Sequence, residues 1–322
     1  MRLVFAGTPA AAVPTLRALL RSDHEVVAVL TRPDAPQGRS RRPVPSPVRV
    51  VAQEADVPVL TPASTRDPAL VATLQDCRPD VCPVVAYGGL IPAPLLRVPT
   101  HGWVNLHFSL LPAWRGAAPV QHALMAGDEA TGATTFLLQE GLDTGPVLGT
   151  LTEPIRPTDT AGDLLERLST AGAELLVATL DAMEQGSAQP VPQPAQGVSH
   201  APKLSTADAR IDWTRPGYAV DRHIRGCTPA PGAWTTFRGN RLKVLPVSPE
   251  PAPGTAPGDS AGQRAASGRI RMVERSVVVA TGQGDVRLGQ VQPLGKPVMD
   301  AVAWARGARL EPEESLGGEL SG

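Results

Sequence analysis

In the stretch Trp103-Val104-Asn105-Leu106-His107-Phe108-Ser109-Leu110-Leu111-Pro112, the first six residues form an apolar run that contains one amide and one imidazole. Such a run reads as a buried β-strand. Residues i and i+2 of a strand point to the same face, so Asn105 and His107 project side by side. Burying both costs free energy unless they find partners. Asp143, in the glycine-flanked loop Gly141-Leu142-Asp143-Thr144-Gly145, is a candidate partner. An amide, an imidazole and a carboxylate, with no obvious nucleophile, suit a reaction in which the substrate itself attacks a carbonyl.

Outward from this strand, short apolar runs alternate with helical patterns through the first half of the chain. Leu3–Ala6, Glu25–Leu30, Asp80–Tyr87 and Trp103–Phe108 read as strands, with a weaker one at Val57–Leu60. Pro9–Leu20, Pro47–Ala55, Pro68–Asp76 and Ala117–Ala126 read as helices. Pro9 and Pro47 suit a first helical turn, where no backbone donor is missed. This alternation predicts a doubly wound, mostly parallel α/β sheet of Rossmann-like type. Thr134–Gln139 and Val147–Leu151 add later strands, and leucines at helical spacing predict a long helix from Thr158 to Met183. The run Gln189-Pro190-Val191-Pro192-Gln193-Pro194 cannot continue a helix and reads as a linker. Beyond it, a helix at Ala219–Arg225 precedes short β-like runs at Ala233–Phe237, Leu242–Val247, Arg269–Val273, Ser276–Ala280 and Val286–Val291. Short strands separated by such turns predict a small barrel or sandwich. The expected organisation is a catalytic domain at 1–188, a linker at 189–207 and a C-terminal domain at 208–322. Ser248–Gly268 is a Pro/Gly/Ala-rich loop without periodicity.

The 322 residues suffice for two ordinary cores, and the net charge of −1 hides an uneven distribution. Residues 1–205 carry 15 Lys+Arg against 19 Asp+Glu, a net of −4, whereas residues 206–310 carry 15 against 8, a net of +7. Arg32, Arg39, Arg41, Arg42 and Arg49 also cluster, with only Asp34 to offset them. Two basic surfaces on a nearly neutral chain permit binding to a polyanion at defined places. Cys77, Cys82 and Cys227 form no disulfide or zinc spacing, so a reduced, cytoplasmic protein is expected. The histidines suggest no metal site. No apolar run reaches the ~20 residues needed to span a bilayer, and no membrane role is expected.

Gly7-Thr8-Pro9 follows the first strand where a doubly wound sheet faces its ligand crevice. The three-glycine fingerprint for a pyrophosphate is absent, which disfavours a dinucleotide oxidoreductase. Tyr87-Gly88-Gly89-Leu90-Ile91-Pro92 ends another strand, and its glycines allow backbone to approach a flat ligand. Gly258-Asp259-Ser260-Ala261-Gly262 matches a serine-hydrolase pattern but lies in the Pro/Gly-rich loop. No histidine follows His223, so the hydrolase order of Ser, acid and His is impossible. Asn105 and a protonated His107 are donors suited to an oxyanion, and Asp143 to proton transfer and to favouring the cationic imidazole.

These residues carry a family resemblance over nearly the full length. The chain resembles the methionyl-tRNA formyltransferases in Phe5-Ala6-Gly7-Thr8-Pro9, Val85-Ala86-Tyr87-Gly88, Asn105-x-His107-x-Ser109-Leu110-Leu111-Pro112, Trp114-Arg115-Gly116-Ala117-Ala118-Pro119, Leu142-Asp143-Thr144-Gly145 and Ala209-Arg210-Ile211-Asp212-Trp213. The resemblance implies formyl transfer from 10-formyltetrahydrofolate to the amino group of methionine on initiator tRNA, without a metal. It implies Asn105, His107 and Asp143 as the catalytic trio. Ser109, Leu110, Leu111 and Pro112 are implied as folate contacts, together with Tyr87, Gly88, Leu90, Ile91 and Pro92. Arg39, Arg41 and Arg42 are implied as tRNA contacts, and the C-terminal domain as an OB-like barrel that also contacts tRNA. A monomer is the expected state. Formylation of a small amine or sugar nucleotide is the competing expectation; it needs neither the arginine loop nor a basic second domain. A tRNA-binding protein without catalysis is a competitor of another class, against which the Asn–His–Asp set speaks.

Overall fold

The computed structural model describes residues 1–36, 42–250 and 265–320. Arg39 and Arg41, the sequence 258–262 and most of the 248–268 loop lie outside the described residues. The chain divides into two compact units. One comprises Met1–Pro119, Ala130–Pro154 and Leu165–Pro202; the other comprises Val120–Glu129, Ile155–Leu164 and Lys203–Gly322.

The first unit contains β1 (Arg2–Gly7), β2 (Glu25–Leu30), β3 (Ala35–Pro36), β4 (Pro43–Val44), β5 (Val59–Leu60), β6 (Cys82–Val85), β7 (Trp103–His107), β8 (Ala130–Leu137) and β9 (Val147–Pro154). Seven of these form one sheet in the order β5-β2-β1-β6-β7-β8-β9. The strands from β5 to β7 run parallel, and β8 and β9 are added antiparallel. Between the parallel strands lie α1 (Val13–Arg21), α2 (Pro47–Glu54), α3 (Pro68–Cys77) and α4 (Ala93–Leu96). The doubly wound, mostly parallel sheet expected from the alternation is therefore present. Chain order reverses at β1, with β2 and β5 on one side and β6 and β7 on the other. Ligands bind at such a switch point, outside the carboxyl ends of the strands.

Local chemistry accounts for the helix starts. Ser46 caps α2, its hydroxyl accepting from Arg49 N at 3.1 Å, and Asp67 caps α3 through Ala69 N at 2.9 Å. Both are followed by proline at a position where the missing N–H is not needed. The helix expected from Pro9 begins as a 3₁₀ turn at Ala10–Ala12, and α1 proper starts at Val13. Ala35–Pro36 and Pro43–Val44, on either side of residues 37–41, pair as a two-stranded ribbon, β3 against β4. There Asp34 is engaged by Arg49, at 2.9 Å to each carboxylate oxygen.

The second unit takes in α5 (Pro119–Ala126) from its second residue onward and the first turn of α6 (Ala161–Glu184). It continues with α7 (Gly217–Gly226), β10 (Trp234–Phe237), β11 (Asn240–Val244), β12 (Val247–Glu250), β13 (Ile270–Val273), β14 (Ser276–Ala280), β15 (Asp285–Leu288), β16 (Gln290–Pro293), β17 (Met299–Asp300) and α8 (Ala301–Ala308). Two four-stranded antiparallel sheets, β10-β11-β16-β17 and β12-β15-β14-β13, share a core that includes Trp213, Ile224, Leu242, Val279, Val286 and Trp304. Each of two runs read as single strands is broken. Leu242–Val247 divides at Leu245-Pro246 and Val286–Val291 at Gly289, and each half joins a different sheet. Corners at which a strand changes sheet fold a β-domain around one core. The short helix α8 carries no long periodic pattern, but its cap is plain: Asp300 accepts from Val302 N and Ala303 N at 2.9 Å.

The charge surplus of the second unit is partly neutralised within it. Glu313 and Glu314, beyond the +7 window, pair with Arg269 and Arg238, whereas the pairs Asp285–Arg271 and Asp221–Arg225 use acids already counted in that balance. Among the described residues, no helix is long and apolar enough to cross a membrane.

In β7, Asn105 and His107 lie on one face and Leu106, 2% exposed, lies on the other. Leu106 points at Gly172 of α6, so the helix fixes the strand that carries both polar residues. Leu106→Ala should lower unfolding stability by about 3 kcal/mol, the usual loss for a buried leucine, measured by denaturant titration.

Candidate active site

His107 ends β7 with its ring buried, 6% exposed. Nε2 is 2.9 Å from the carbonyl oxygen of Trp114. A carbonyl can only accept, so Nε2 carries the hydrogen and donates it. In the neutral ring, Nδ1 is then the atom free to take a proton. Nδ1 faces Asp143 Oδ2 at 3.8 Å. Burial pushes the imidazole pKa below its ordinary value; the Asp143 carboxylate and the Trp114 carbonyl oppose this without reversing it. Asp143 does favour the cationic ring, as the sequence leads one to expect, without setting the balance. The carboxylate is close, but desolvation outweighs it.

Asp143 reaches His107 by an indirect route. Strand β8 ends at Leu137, paired with Val104, and the connection to β9 brings Asp143 to the residue three positions further along β7. Gly116 N donates to Asp143 Oδ2 at 2.8 Å. Both ends of this arrangement require glycine. A Cβ on Gly145 would sit 1.6 Å from Leu137 O, and one on Gly116, at φ +127°, would sit 2.6 Å from Ala201 O. Asp143 itself has φ +53° and Trp114 φ +60°, left-handed conformations that cost non-glycine residues roughly 1–3 kcal/mol. The half-buried Asn105 carboxamide has no hydrogen-bond partner among the described residues.

The other residues singled out from sequence fall into two groups. Ser109 is fully buried and donates to Ala113 O at 2.6 Å, and Thr134 Oγ1 donates to Ser109 O at 2.7 Å and accepts from Leu111 N at 3.2 Å. Ser109 and Leu111 therefore shape the turn with their side chains inward, while Leu110 and Pro112 remain half-buried. At the switch point, Thr8 Oγ1 donates to Tyr87 O at 2.8 Å and joins the turn after β1 to the turn after β6. Tyr87 and Ile91 anchor the second loop in the core, which leaves Gly88 exposed, Leu90 74% exposed and Pro92 half-buried. Of the three arginines expected at tRNA, Arg42 is described and exposed, immediately before β4. No group of three or more His, Cys, Asp or Glu among the described residues is arranged to hold a metal ion.

The sequence reads the segment after Gln189 as a linker, yet part of it borders this site. Ser199 Oγ accepts from Trp114 N at 2.9 Å and Ser199 O accepts from Arg115 N at 2.9 Å, so Ser199 holds the carbonyl that holds His107. Gln193 bonds to Arg115 and to the Asp143 loop. The readable signal was an amide set between two prolines, Pro192 and Pro194, a rigid setting for a side chain.

A family model described as formyl transferase matches residues 1–180, and one described as formyl transferase, C-terminal domain, matches residues 203–309. The chain is 60% identical over 318 residues to the methionyl-tRNA formyltransferase of Streptomyces coelicolor, covering 98% of this chain and 100% of that protein. Among solved structures, the sugar 3N-formyl transferase WlaRD, with dTDP and 5-N-formyl-THF, is similar at TM-score 0.66 and 16% identity over 92% of this chain and 99% of that one. HypX from Aquifex aeolicus in complex with tetrahydrofolic acid is similar at TM-score 0.61 and 16% identity over 94% of this chain and 46% of that one. These two likenesses show the shared fold. The chain belongs to the formyl transferase family and, within it, to the methionyl-tRNA formyltransferases.

A histidine whose pKa is lowered by folding leaves stability untouched above its ordinary value of about 6.5. As pH falls through that value, the unfolded chain binds a proton that the folded protein resists, so this group then subtracts from stability. In an NMR titration the His107 midpoint should lie below 6.5, and Asp143→Asn should lower it further by removing the charge that favours the cation.

Proposed function

We propose that this protein transfers the formyl group of 10-formyltetrahydrofolate to the amino group of methionine carried by initiator tRNA. Family membership and the S. coelicolor relative support the donor–acceptor pair, and the HypX and WlaRD likenesses support a folate-related co-substrate. The observation that carries the chemistry is the buried His107, with Nε2 sealed by the Trp114 carbonyl and Nδ1 turned to Asp143.

No protein nucleophile fits as well. Ser109 Oγ is committed to Ala113 O. Burial raises the pKa of Cys77 and Cys82 and pushes that of Cys227 up to about 12, so none of these thiols is an activated thiolate near neutral pH. The acceptor amine therefore attacks the formyl carbon directly. A bond from that carbon to the methionine nitrogen forms as its bond to N10 of the folate breaks. Asn105 donates its amide hydrogen to the carbonyl oxygen as negative charge gathers there. His107 Nδ1 accepts the proton that the attacking amine loses, Asp143 stabilises the resulting imidazolium, and the proton passes to the departing N10. A neutral imidazole in the free protein suits this role, because it can accept before it donates.

Exposed backbone at Ala86 and Gly88, with the exposed Leu90, offers polar groups and an apolar surface to a flat pterin, while Tyr87, Ile91 and Pro92 hold the loop. The turn Ser109-Leu110-Leu111-Pro112 forms the other wall. Arg39, Arg41 and Arg42 contact tRNA phosphate, together with residues 208–322 as a tRNA-binding domain.

His107→Ala and Asp143→Ala should each lower kcat by about 10²–10⁴ while tRNA affinity stays near wild type. The assay is formylation of charged initiator tRNA with elongator Met-tRNA, free methionine and an amino sugar nucleotide in parallel; full turnover in either variant sinks the mechanism. Replacing Arg39, Arg41 and Arg42 by alanine should raise the Kd for tRNA and flatten its log–log salt dependence by about 0.7–0.9 per lost phosphate contact. An unchanged slope, or transfer only to the sugar nucleotide, favours the small-amine reading.

A further inference from the structure

The mechanism uses His107 and Asp143 but does not explain what sets their separation. Gln193 lies in the Pro-rich run that the sequence reads as a linker. Its flank is not free: Val191 and Val147 exchange both backbone hydrogen bonds at 2.8 Å, which seats the run on the first strand after the Asp143 loop. From there the Gln193 side chain reaches two loops. Nε2 donates to the carbonyl oxygens of Asp143 and Gly145, both at 2.8 Å. Oε1 accepts from Arg115 Nη2 at 2.6 Å and from Arg115 Nε at 3.1 Å.

This amide is saturated, with two hydrogens given and two bonds accepted. Its orientation is forced as well. Carbonyls cannot donate and a guanidinium cannot accept, so exchanging the oxygen and nitrogen would break all four bonds. Its two targets are the elements that build the catalytic pair. Asp143 and Gly145 frame the carboxylate, and Asp143 sits at φ +53°, a backbone state that a residue other than glycine keeps only when it is held. Arg115 stands between Trp114, whose carbonyl locks His107, and Gly116, whose N–H holds Asp143 Oδ2.

We propose that Gln193 is a positioning residue of the reaction, a clasp between the Trp114–Gly116 loop and the Asp143–Gly145 loop that sets the distance from Asp143 to His107 Nδ1. The proposal rests on the reading of His107 and Asp143 as the reacting pair. A displacement of about 1 Å at a proton-transfer pair can cost on the order of 100-fold in rate. A residue that merely fastened the run 189–202 to the fold would affect melting temperature, not the properties of the pair.

The test uses the full chain with Gln193→Ala and the near-isosteric Gln193→Met, which keeps bulk and removes all four hydrogen bonds. Both should lower kcat for formylation by about 10–100-fold, with KM for tRNA within twofold and melting temperature within a few degrees. The His107 NMR midpoint should move down, in the direction produced by Asp143→Asn. On an Asp143→Ala background, Gln193→Met should cost no further rate, because the group it positions is gone. A wild-type kcat with an unmoved His107 midpoint in Gln193→Met overturns the proposal, and so does an equal loss in both backgrounds. Full activity of Asp143→Ala alone overturns instead the reading of the pair, so the two failures are distinguishable.

Discussion

An imidazole buried at the end of a strand must find a partner for each ring nitrogen or lose the free energy of both. Here one partner is the Trp114 carbonyl and the other is the Asp143 carboxylate. The first fixes the tautomer, and the second stands far enough away to favour a proton on Nδ1 without holding one there. Burial pushes the ring's pKa below its ordinary value. The result is a base that can become an acid, shielded from water on one side and facing a charge on the other.

The loops around the site carry backbone that would not hold its shape alone. Trp114 and Asp143 adopt left-handed conformations, and Gly116 and Gly145 lie against carbonyl oxygens that leave no space for a Cβ. Such positions persist where surrounding bonds over-determine them. The bonds come from a distant part of the chain: Ser199 on Trp114 and Arg115, Ala201 N on Arg115 O at 2.7 Å, and Gln193 on Asp143 and Gly145. The segment that follows the long helix α6 is thus part of the scaffold of the first unit.

The first unit and the remainder of the chain answer different questions. The doubly wound sheet reverses its order at β1, with Tyr87 just beyond β6 and His107 at the end of β7, and a sugar 3N-formyl transferase shares this fold. The positive balance of residues 206–310 is smaller in the folded unit than in the sequence, since acids from the tail return to pair with arginines. Net charge counted along a sequence measures what is available, and the fold decides what is left unpaired.

Much of the fold was legible in advance. Alternation of apolar runs with helical patterns identified the parallel strands, because burial on both faces leaves a continuous apolar signature. Pro47 marked the start of α2 for the same local reason that operates in the structure, while the caps Ser46 and Asp67 emerged with the structure. Asn105 and His107 could be paired by strand periodicity, which needs only two residues of context. Less legible were the broken runs at Leu245-Pro246 and Gly289, where hydrophobicity continues while the strand changes sheet, and α8, too short to show a period. Residue type and strand periodicity alone put an amide and an imidazole on one face and a carboxylate in a glycine-flanked loop, because both are local properties of the chain. The burial of His107 and the contacts of Trp114, Ser199 and Gln193 emerge only when the chain is folded. Those depend on desolvation and on hydrogen bonds between positions as far apart as 85 residues, and no local pattern encodes a distance in space.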